Sequence, residues 1–312
     1  MIRTSQPAVD RRVASMFGET RDGQPLSYNR APASDLAPWI ARLSVSKLDL
    51  RAGQAFSCGL FADTAGIRIQ LVGDFIAHTP EGPQHHGRGA LFCGPQSRLM
   101  PIRVLGKFVS IGISFRPSAC AALLNVPLSD YIDMVADTQY WTPDHLLSQF
   151  APDGTPEQWL LTVEHMFRAR IAELNGLQPS LLTARFEEIA FLNPAQSIAD
   201  VARELDVDRR RLERLVVRDF GMPPKQVLRR ARALDMASYL RGVADGDEAE
   251  ALALRYYDES HLIREFVELF GMSPRQFTAL PQPLLTLNLE IRQARRLEMI
   301  QRLQPGARRP WQ

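Results

Sequence analysis

One stretch decides the fold of the C-terminal part of the chain: residues 197–241, which read SIADVARELDVDRRRLERLVVRDFGMPPKQVLRRARALDMASYLR. Near its start, Ile198, Val201, Ala202 and Leu205 recur at the i, i+3, i+4 and i+7 spacing of one apolar helix face. The small side chain of Ala202 allows a neighbouring helix to cross closely. The pattern therefore predicts a short helix that packs against the segment that follows it.

A second helix is predicted to begin after Asp208, whose carboxylate can accept hydrogen bonds from the free N–H groups of the first helical turn. This helix directs Leu212, Leu215 and Val216 toward the protein. Its other side carries a cluster of arginines: Arg209, Arg210, Arg211, Arg214 and Arg218. A short helix, a tight turn and a second helix with an arginine-dense outer face form a helix-turn-helix, in which the second helix enters the major groove of DNA.

The pattern returns one unit later in the chain, and an internal repeat is stronger evidence than a single motif. The sequence FGMPPKQ at 220–226 is echoed by FGMSPRQ at 270–276. Helix positions 208, 212 and 214 recur in register as Asp258, Leu262 and Arg264. The repeat therefore predicts two helix-turn-helix units.

Two runs carry a resemblance to a known family: YYDESHLIREF at 256–266 and FGMSPRQF at 270–277. With them, residues 197–277 resemble the double helix-turn-helix DNA-binding domain of AraC/XylS transcription regulators. The resemblance implies a bacterial-type, cytoplasmic regulator that binds double-stranded promoter DNA by sequence, needs no cofactor and is not an enzyme. A small-molecule effector, a homodimer and contacts with RNA polymerase are left open.

The second unit is expected to begin with a helix at 248–255, with Ala251 at its crossing point, and one long helix at 224–241 bridges the two units. Members of the family usually have glycine in both tight turns, where the backbone needs a positive φ. Here those positions are Asp206 and Arg255. Aspartate tolerates the left-handed region better than arginine, so the second turn is expected to be strained or built differently.

Matching the family motif residue by residue implies roles within the first unit. The side chains expected to face base edges are Arg210, Glu213 and Arg214. Those expected to contact phosphates or solvent are Arg209, Arg211 and Arg218. Arginine pairs with guanine O6 and N7, and glutamate accepts from cytosine N4. The alternative interpretation is a solvated helix face with i, i+4 ion pairs, such as Arg209 with Glu213.

In the second unit the matching positions are Glu259, Ser260, Ile263 and Arg264. Three glutamates of this helix would repel phosphates if they faced DNA: Glu259, Glu265 and Glu268. A mainly structural second unit with weak or shape-based contacts therefore stays open. So does an interaction protein whose acidic second unit contacts a protein partner instead of DNA.

The net charge of +2 conceals an asymmetry along the chain. Residues 198–241 hold 11 Arg or Lys against 7 Asp or Glu, whereas residues 242–280 hold 3 against 8. Residues 281–312 are basic again, with 6 against 2. Phosphate affinity comes from cationic side chains and counterion release, so the first unit is expected to hold DNA better than the second.

Length and composition favour an α+β protein with two folded domains, since 312 residues are enough for two buried cores. The predicted division is a polar, loosely ordered arm at 1–27, a β-rich sensory or dimerisation domain with helices at 28–177, the double helix-turn-helix domain at 178–280 and a basic helical tail at 281–312. No apolar run is long enough for a membrane span and no signal peptide is indicated, so no membrane partner is expected.

The β-rich domain is inferred from alternation with period two, as in Phe56, Cys58 and Leu60, and from glycine and proline between the alternating segments. Further strands are expected at 89–92, 97–105 and 108–115. A long amphipathic helix is expected at 156–174. This domain resembles, less specifically, the sensory domains of some AraC-type regulators, and no effector-binding residue is assigned from that resemblance.

The tail carries a helical stripe of apolar residues: Leu287, Ile291, Ala294, Leu297 and Ile300. An amphipathic helix of this kind usually buries its stripe on its own domain. Pairing with another subunit and additional phosphate contacts are the alternatives.

Three histidines of the β-rich domain, His78, His85 and His86, raise the hypothesis of a metal-dependent enzyme domain fused to a DNA-binding domain. On a strand, however, His85 and His86 would point to opposite faces. Surface or loop histidines are therefore the preferred interpretation, and no metal site is assigned.

Three cysteines, Cys58, Cys93 and Cys120, have no paired spacing. They are expected to be reduced and to behave as small buried hydrophobic residues. Neither a nucleophile elbow nor a phosphate-binding glycine loop is present in the sequence, which disfavours an enzyme.

Overall fold

The computed structural model describes residues 6–51, 53–124, 127–138, 143–245 and 259–312. The chain has the predicted α+β arrangement, in which a large sheet comes first and a helical region that contains both predicted recognition helices follows. None of the described helices combines the length and the apolar composition that a membrane span requires.

Within the described residues, nine strands form one antiparallel sheet. They are β1 Ala14–Ser15, β2 Tyr28–Arg30, β3 Ile40–Asp49, β4 Ala55–Leu60, β5 Gly66–Thr79, β6 Gly82–His86, β7 Gly89–Cys93, β8 Met100–Phe115 and β9 Val135–Asp137. The order along the sheet is β1-β3-β8-β5-β7-β9, with β2 paired to β3, β4 to β8 and β6 to β5.

The long strand β8 corrects the prediction of two separate strands at 97–105 and 108–115. Gly106 has φ +65°, which lets β8 bend without ending. The facing strand β5 changes register at the same place, and Gly73 there has φ +86°. A Cβ on Gly73 would lie 1.9 Å from the carbonyl oxygen of Lys107, so only glycine fits. Glycine at a bulge therefore curves these strands instead of terminating them.

The two faces of the sheet differ in chemistry because side chains alternate along each strand. Leu43, Val45, Ile111 and Ile113 lie on one face and form a core with the helices that follow the sheet. The other face carries serines: Ser44, Ser46, Ser110 and Ser114. The serine face is covered by the C-terminal helix.

Ten helices and one short 3-10 helix, Leu128–Tyr131, are found in the described ranges. The helices are α1 Pro117–Leu124, α2 Pro143–Ser148, α3 Pro156–Ala172, α4 Leu181–Leu192, α5 Ile198–Glu204, α6 Arg209–Phe220, α7 Pro224–Leu240, α8 Glu259–Phe270, α9 Pro274–Ala279 and α10 Pro283–Met299. The helix expected at 156–174 is α3, and the long bridging helix expected at 224–241 is α7.

The N-terminal segment differs from the loosely ordered arm that we expected. Val13 and Leu26 are buried. The Ala8 N–H donates to the Thr278 carbonyl at 2.8 Å, and the Arg241 guanidinium donates to the Ala8 carbonyl at 2.8 Å. The expectation is therefore wrong for residues 6–27, because a polar segment becomes ordered once its backbone groups find buried partners elsewhere in the chain.

The tail helix α10 lies between the sheet and the helix-turn-helix region. Leu284 and Leu287 join the apolar core inside the sheet. Leu285, Leu289 and Leu297 join a second core that also contains residues of α7 and α8. The expected helix is thus present, and it packs on both domains at once.

Candidate nucleic-acid interface

The first helix-turn-helix unit is built from local capping interactions. The Ser197 hydroxyl accepts from the Asp200 N–H at 3.2 Å and caps α5. After α5, Asp206 adopts φ +53°, the left-handed conformation expected at this turn, and the Val207 N–H donates to the Ala202 carbonyl at 3.0 Å. This hydrogen bond closes a helix C-terminus of the Schellman type, so the turn forms without glycine.

The next helix, α6, has the predicted N-cap. The Asp208 carboxylate accepts from the Arg211 N–H at 2.8 Å. This hydrogen bond, together with the nearby charges of Arg214 and Arg211, lowers the pKa of Asp208. Because the capping group is ionised near neutral pH, it also complements the positive end of the helix dipole.

One side of α6 is buried in a compact core. Leu212, Val216 and Phe220 are buried, and Phe220 meets Phe186 of α4 edge to face at 5.3 Å between ring centroids. Ala202 of α5 is also buried in this core, as expected for a close helix crossing. These contacts fix which side of α6 faces outward.

The outward side of α6 carries the predicted base-facing and phosphate-facing residues, all exposed: Arg209, Arg210, Arg211, Glu213, Arg214 and Arg218. The guanidinium groups at 209, 210, 211 and 214 have neither a salt bridge nor a side-chain hydrogen bond to any described residue. The i, i+4 pair of Arg209 with Glu213, which a merely solvated face would favour, is not formed. The four guanidinium groups are therefore exposed to solvent without an ion pair to any described residue.

Arg218 is held differently from the other arginines of α6. Its Nε and Nη2 atoms donate to the two carboxylate oxygens of Asp219 at 2.6 and 2.7 Å. Asp219 is buried and also accepts from the Thr183 hydroxyl of α4 at 2.5 Å. The exposed guanidinium of Arg218 is thus fixed at the C-terminal end of α6.

The second predicted recognition helix, α8, contains all four predicted positions, but the structure describes the side chains of only two. Ile263 and Arg264 are exposed on its outer side. The side chains of Glu259 and Ser260 lie outside the described set. The helix expected at 248–255 and the turn at Arg255 also lie outside the described residues.

Two of the three glutamates that were expected to repel phosphates, Glu265 and Glu268, are paired within the domain. Glu265 is buried and accepts from Arg229 Nε and from Arg232 Nη2, both at 2.8 Å. Glu268 accepts from Arg229 Nη2 at 2.5 Å, and this hydrogen bond lowers the pKa of Glu268. Both arginines belong to α7. The two carboxylates are therefore neutralised within the domain.

The β-rich domain contacts the C-terminal ends of both α6 and α8. At the end of α6, Gly221 lies against the backbone of Leu128, where an added Cβ would come within 2.9 Å of the Leu128 carbonyl oxygen. At the end of α8, the Leu99 N–H donates to the Leu269 carbonyl at 2.7 Å. No sequence motif indicated these contacts.

Buried ion pairs on α10 join the two domains. Arg292 bonds to Asp63 of the β-rich domain at 2.7 Å and also to Asp235 of α7. Arg295 bonds to Glu187 of α4 at 2.6 Å. Between α10 and the serine face of the sheet lies a cavity of about 100 Å³, lined by both apolar and charged side chains. The helical stripe of the tail predicted a helix, but its periodicity carried no signal for these charged contacts.

The described histidines and cysteines of the β-rich domain do not assemble into a site. His85 is exposed and His86 is buried, on opposite faces of β6 as expected, and burial lowers the pKa of His86. Among the described residues no group of three or more His, Cys, Asp or Glu side chains is arranged to hold a metal ion. Cys58 and Cys120 are buried as expected, and burial raises the pKa of Cys58 to about 12.

Two family models match separate parts of the chain. Residues 201–279 match a family described as helix-turn-helix domain, and residues 28–137 match one described as domain of unknown function (DUF6597). No curated protein matches the chain.

Among solved structures, ToxT from Vibrio cholerae is similar with a TM-score of 0.44 and 11% identity, over 76% of this chain and 97% of that one. The AraC-like transcriptional activator CuxR is similar with a TM-score of 0.29 and 15% identity, over 67% and 86%. The family match, taken alone, places a helix-turn-helix domain of the AraC type at residues 201–279.

Proposed function

We propose that the chain regulates transcription by binding promoter DNA at specific sequences, with α6 in the major groove. The observation that carries the proposal is the set of four exposed arginines of α6 that have no partner in the described protein, at 209, 210, 211 and 214. They stand on a helix whose opposite side is buried and whose N-terminus is capped. The base-facing roles fall to Arg210, Glu213 and Arg214.

The chemistry of these side chains suits base edges and phosphates. An arginine in the major groove donates two hydrogen bonds to guanine O6 and N7, and Glu213 can accept from the amino group of cytosine. Arg209 and Arg211 flank this strip and suit phosphates, as does Arg218. Arg218 needs little further ordering to make such a contact, because Asp219 already fixes its guanidinium. Four like charges so close together repel one another, and phosphates relieve that repulsion.

For the second unit we propose weaker contacts with the same DNA, through positions 259, 260, 263 and 264. The pairing of Glu265 and Glu268 with Arg229 supports this proposal over a protein partner for an acidic face, because neither carboxylate is available as an unpaired charge. The same pairing also occupies Arg229 and Arg232, so α7 offers few free cations to phosphates. We therefore expect most of the salt dependence to come from α6.

The β-rich domain is proposed to be the sensory part. It contacts the ends of both α6 and α8, so any change in its position alters the spacing of the two helices. A ligand that fills the cavity beside α10 would stabilise the junction in this arrangement. Such a ligand shifts the population only by the difference between its affinities for the two arrangements.

Fluorescence anisotropy tests the reading role of α6. The native chain is titrated against its own upstream DNA and against a scrambled duplex, between about 50 and 200 mM salt. We expect a preference for its own DNA and a steep loss of affinity with salt. Arg210→Ala/Arg214→Ala should lose about 1–3 kcal/mol of that preference for each base contact removed.

The matched control is Arg88→Ala/Arg103→Ala, which removes the same charge from two exposed positions of the β-rich domain. This control should keep the preference for the native site. If the two double variants behave alike, α6 does not read the sequence. If the native chain also binds both duplexes equally, the proposed function is wrong.

A further inference from the structure

The outer side of α8 carries two exposed apolar residues one turn apart. Ile263 is 38% exposed and Val267 is 41% exposed, whereas the apolar residues on the other side of the helix, Phe266, Leu269 and Phe270, are buried. Arg264 is exposed beside Ile263. Burial in the core therefore does not account for an isoleucine at this position.

The repeat shows what this position corresponds to in the first unit. In register, Ile263 of α8 occupies the place of Glu213 of α6, and Arg264 occupies the place of Arg214. The two helices thus keep the arginine and exchange a carboxylate for a branched apolar side chain. At matching positions, the first unit therefore has a side chain that accepts hydrogen bonds and the second unit has one that makes only apolar contacts.

The described acidic neighbours of Ile263, Glu265 and Glu268, are paired and so do not present uncompensated charge to DNA. Glu265 points into the domain and bonds to Arg229 and Arg232 of α7, and Glu268 bonds to Arg229 as well. The described outer side of the helix presents Ile263, Arg264 and Val267, together with Glu268, which is exposed but paired with Arg229. This is a short apolar strip beside one cation.

In the major groove the apolar group available to such a side chain is the C5 methyl of thymine. A β-branched isoleucine has a restricted χ1, so it loses little freedom when it packs against a methyl group. Base contacts come from the N-terminal half of a recognition helix, which contains Ile263 but not Val267.

We infer that Ile263 reads the methyl group of a thymine, so that the second unit selects a thymine where the first unit selects a G·C pair. The inference rests on the proposed function, because it assigns a base to a helix of the same DNA-binding domain. It also gives the second unit a specificity role that its low positive charge does not reveal.

Deoxyuridine substitution tests the inference, since it removes only the methyl group from a thymine. The binding site is first mapped in the upstream DNA by footprinting, and each thymine in it is then replaced singly. We expect one or two positions under the second unit to weaken binding of the native chain by about fourfold, the effect of burying one methyl-sized group. Ile263→Ala should bind more weakly and be indifferent to uracil at those positions.

Two controls separate the outcomes. Val267→Ala should keep the sensitivity to uracil, and the exposed positions of both residues predict that neither variant loses thermal stability. If the native chain binds its own site but tolerates uracil everywhere, or if Ile263→Ala keeps the sensitivity, the inference is wrong and the proposed function stands. If the native chain has no preferred site, the proposed function fails and the inference fails with it.

Discussion

The helices α6 and α8 occupy the same place in two repeats of one sequence pattern, yet their charged side chains have different partners. In α6 the arginines at 209, 210, 211 and 214 point outward and have no partner in the described protein. In α8 the carboxylates of Glu265 and Glu268 bond to Arg229 of the bridging helix. The arginines of α6 are therefore available to a ligand, whereas the described carboxylates of α8 form ion pairs within their own domain.

This difference shows that local net charge is a poor guide to the surface that a helix presents. Residues 242–280 are acidic in composition, but the carboxylate of Glu265 is buried between two arginines of residues 198–241. The excess charges of the two units therefore cancel in part across the α7–α8 contact. The contrast between the units lies in side-chain direction as much as in charge.

The largest effect that we expect comes from the glycine at the end of each helix. Gly221 and Gly271 both have positive φ, +76° and +68°. Only Gly221 lies against the β-rich domain, where an added Cβ would be 2.9 Å from the Leu128 carbonyl oxygen. Gly221→Ala should lower the free energy of unfolding by about 2–4 kcal/mol, from left-handed strain and from displacement of the Leu128 backbone.

Gly271→Ala is the matched control, because nothing lies within 4 Å of its added Cβ. It should lower the free energy of unfolding by only about 1–2 kcal/mol, from left-handed backbone strain. Urea denaturation of both variants measures the difference. Equal losses would mean that the β-rich domain does not support the end of α6 as the structure indicates.

A smaller effect is expected from the paired carboxylate of α8. Glu265→Ala leaves Arg229 and Arg232 without their shared buried partner. Breaking a fully buried pair costs about 3–5 kcal/mol, and the partial exposure of both arginines reduces our expectation to about 1–3 kcal/mol.

The corresponding change in the first unit is Glu213→Ala, which removes an exposed carboxylate that has no partner. Its unfolding free energy should stay within about 0.5 kcal/mol of the native value, while its DNA preference changes. Urea denaturation and anisotropy separate the two consequences. If Glu265→Ala lowers the free energy of unfolding no more than Glu213→Ala does, the ion pairs of Glu265 do not stabilise the domain and the proposed contrast between α6 and α8 is wrong.

The sequence predicted the first unit well because its determinants are local. The cap at Asp208, the left-handed turn at Asp206 and the small residue at Ala202 each act within a few residues of their own position. The helical period then fixes which side of α6 is buried. These features are readable without knowledge of the rest of the chain.

Features that depend on distant partners could not be predicted in this way. The negative charge of Glu265 is compensated only because Arg229 and Arg232 of another helix, α7, bond to it. The N-terminal segment is ordered because Ala8 bonds to Thr278 and Arg241, which are far away in sequence. Neither the composition nor the spacing of residues reveals which surfaces meet in the folded chain.

The smallest effect concerns the cap of α6 and its dependence on pH. The pKa of Asp208 is lowered in the folded chain, chiefly by the hydrogen bond from the Arg211 N–H. The cap therefore contributes stability above the pKa of aspartate in the unfolded chain, about 3.9, and this stability is lost as the pH falls through the lower folded value. Asp208→Asn keeps a capping oxygen but cannot titrate, so its deficit relative to the native chain should shrink toward low pH. Thermal unfolding of both proteins from pH 7 to pH 3 measures this change. A deficit that does not change with pH would show that the charge of Asp208 adds nothing to the hydrogen bond that it accepts from the Arg211 N–H.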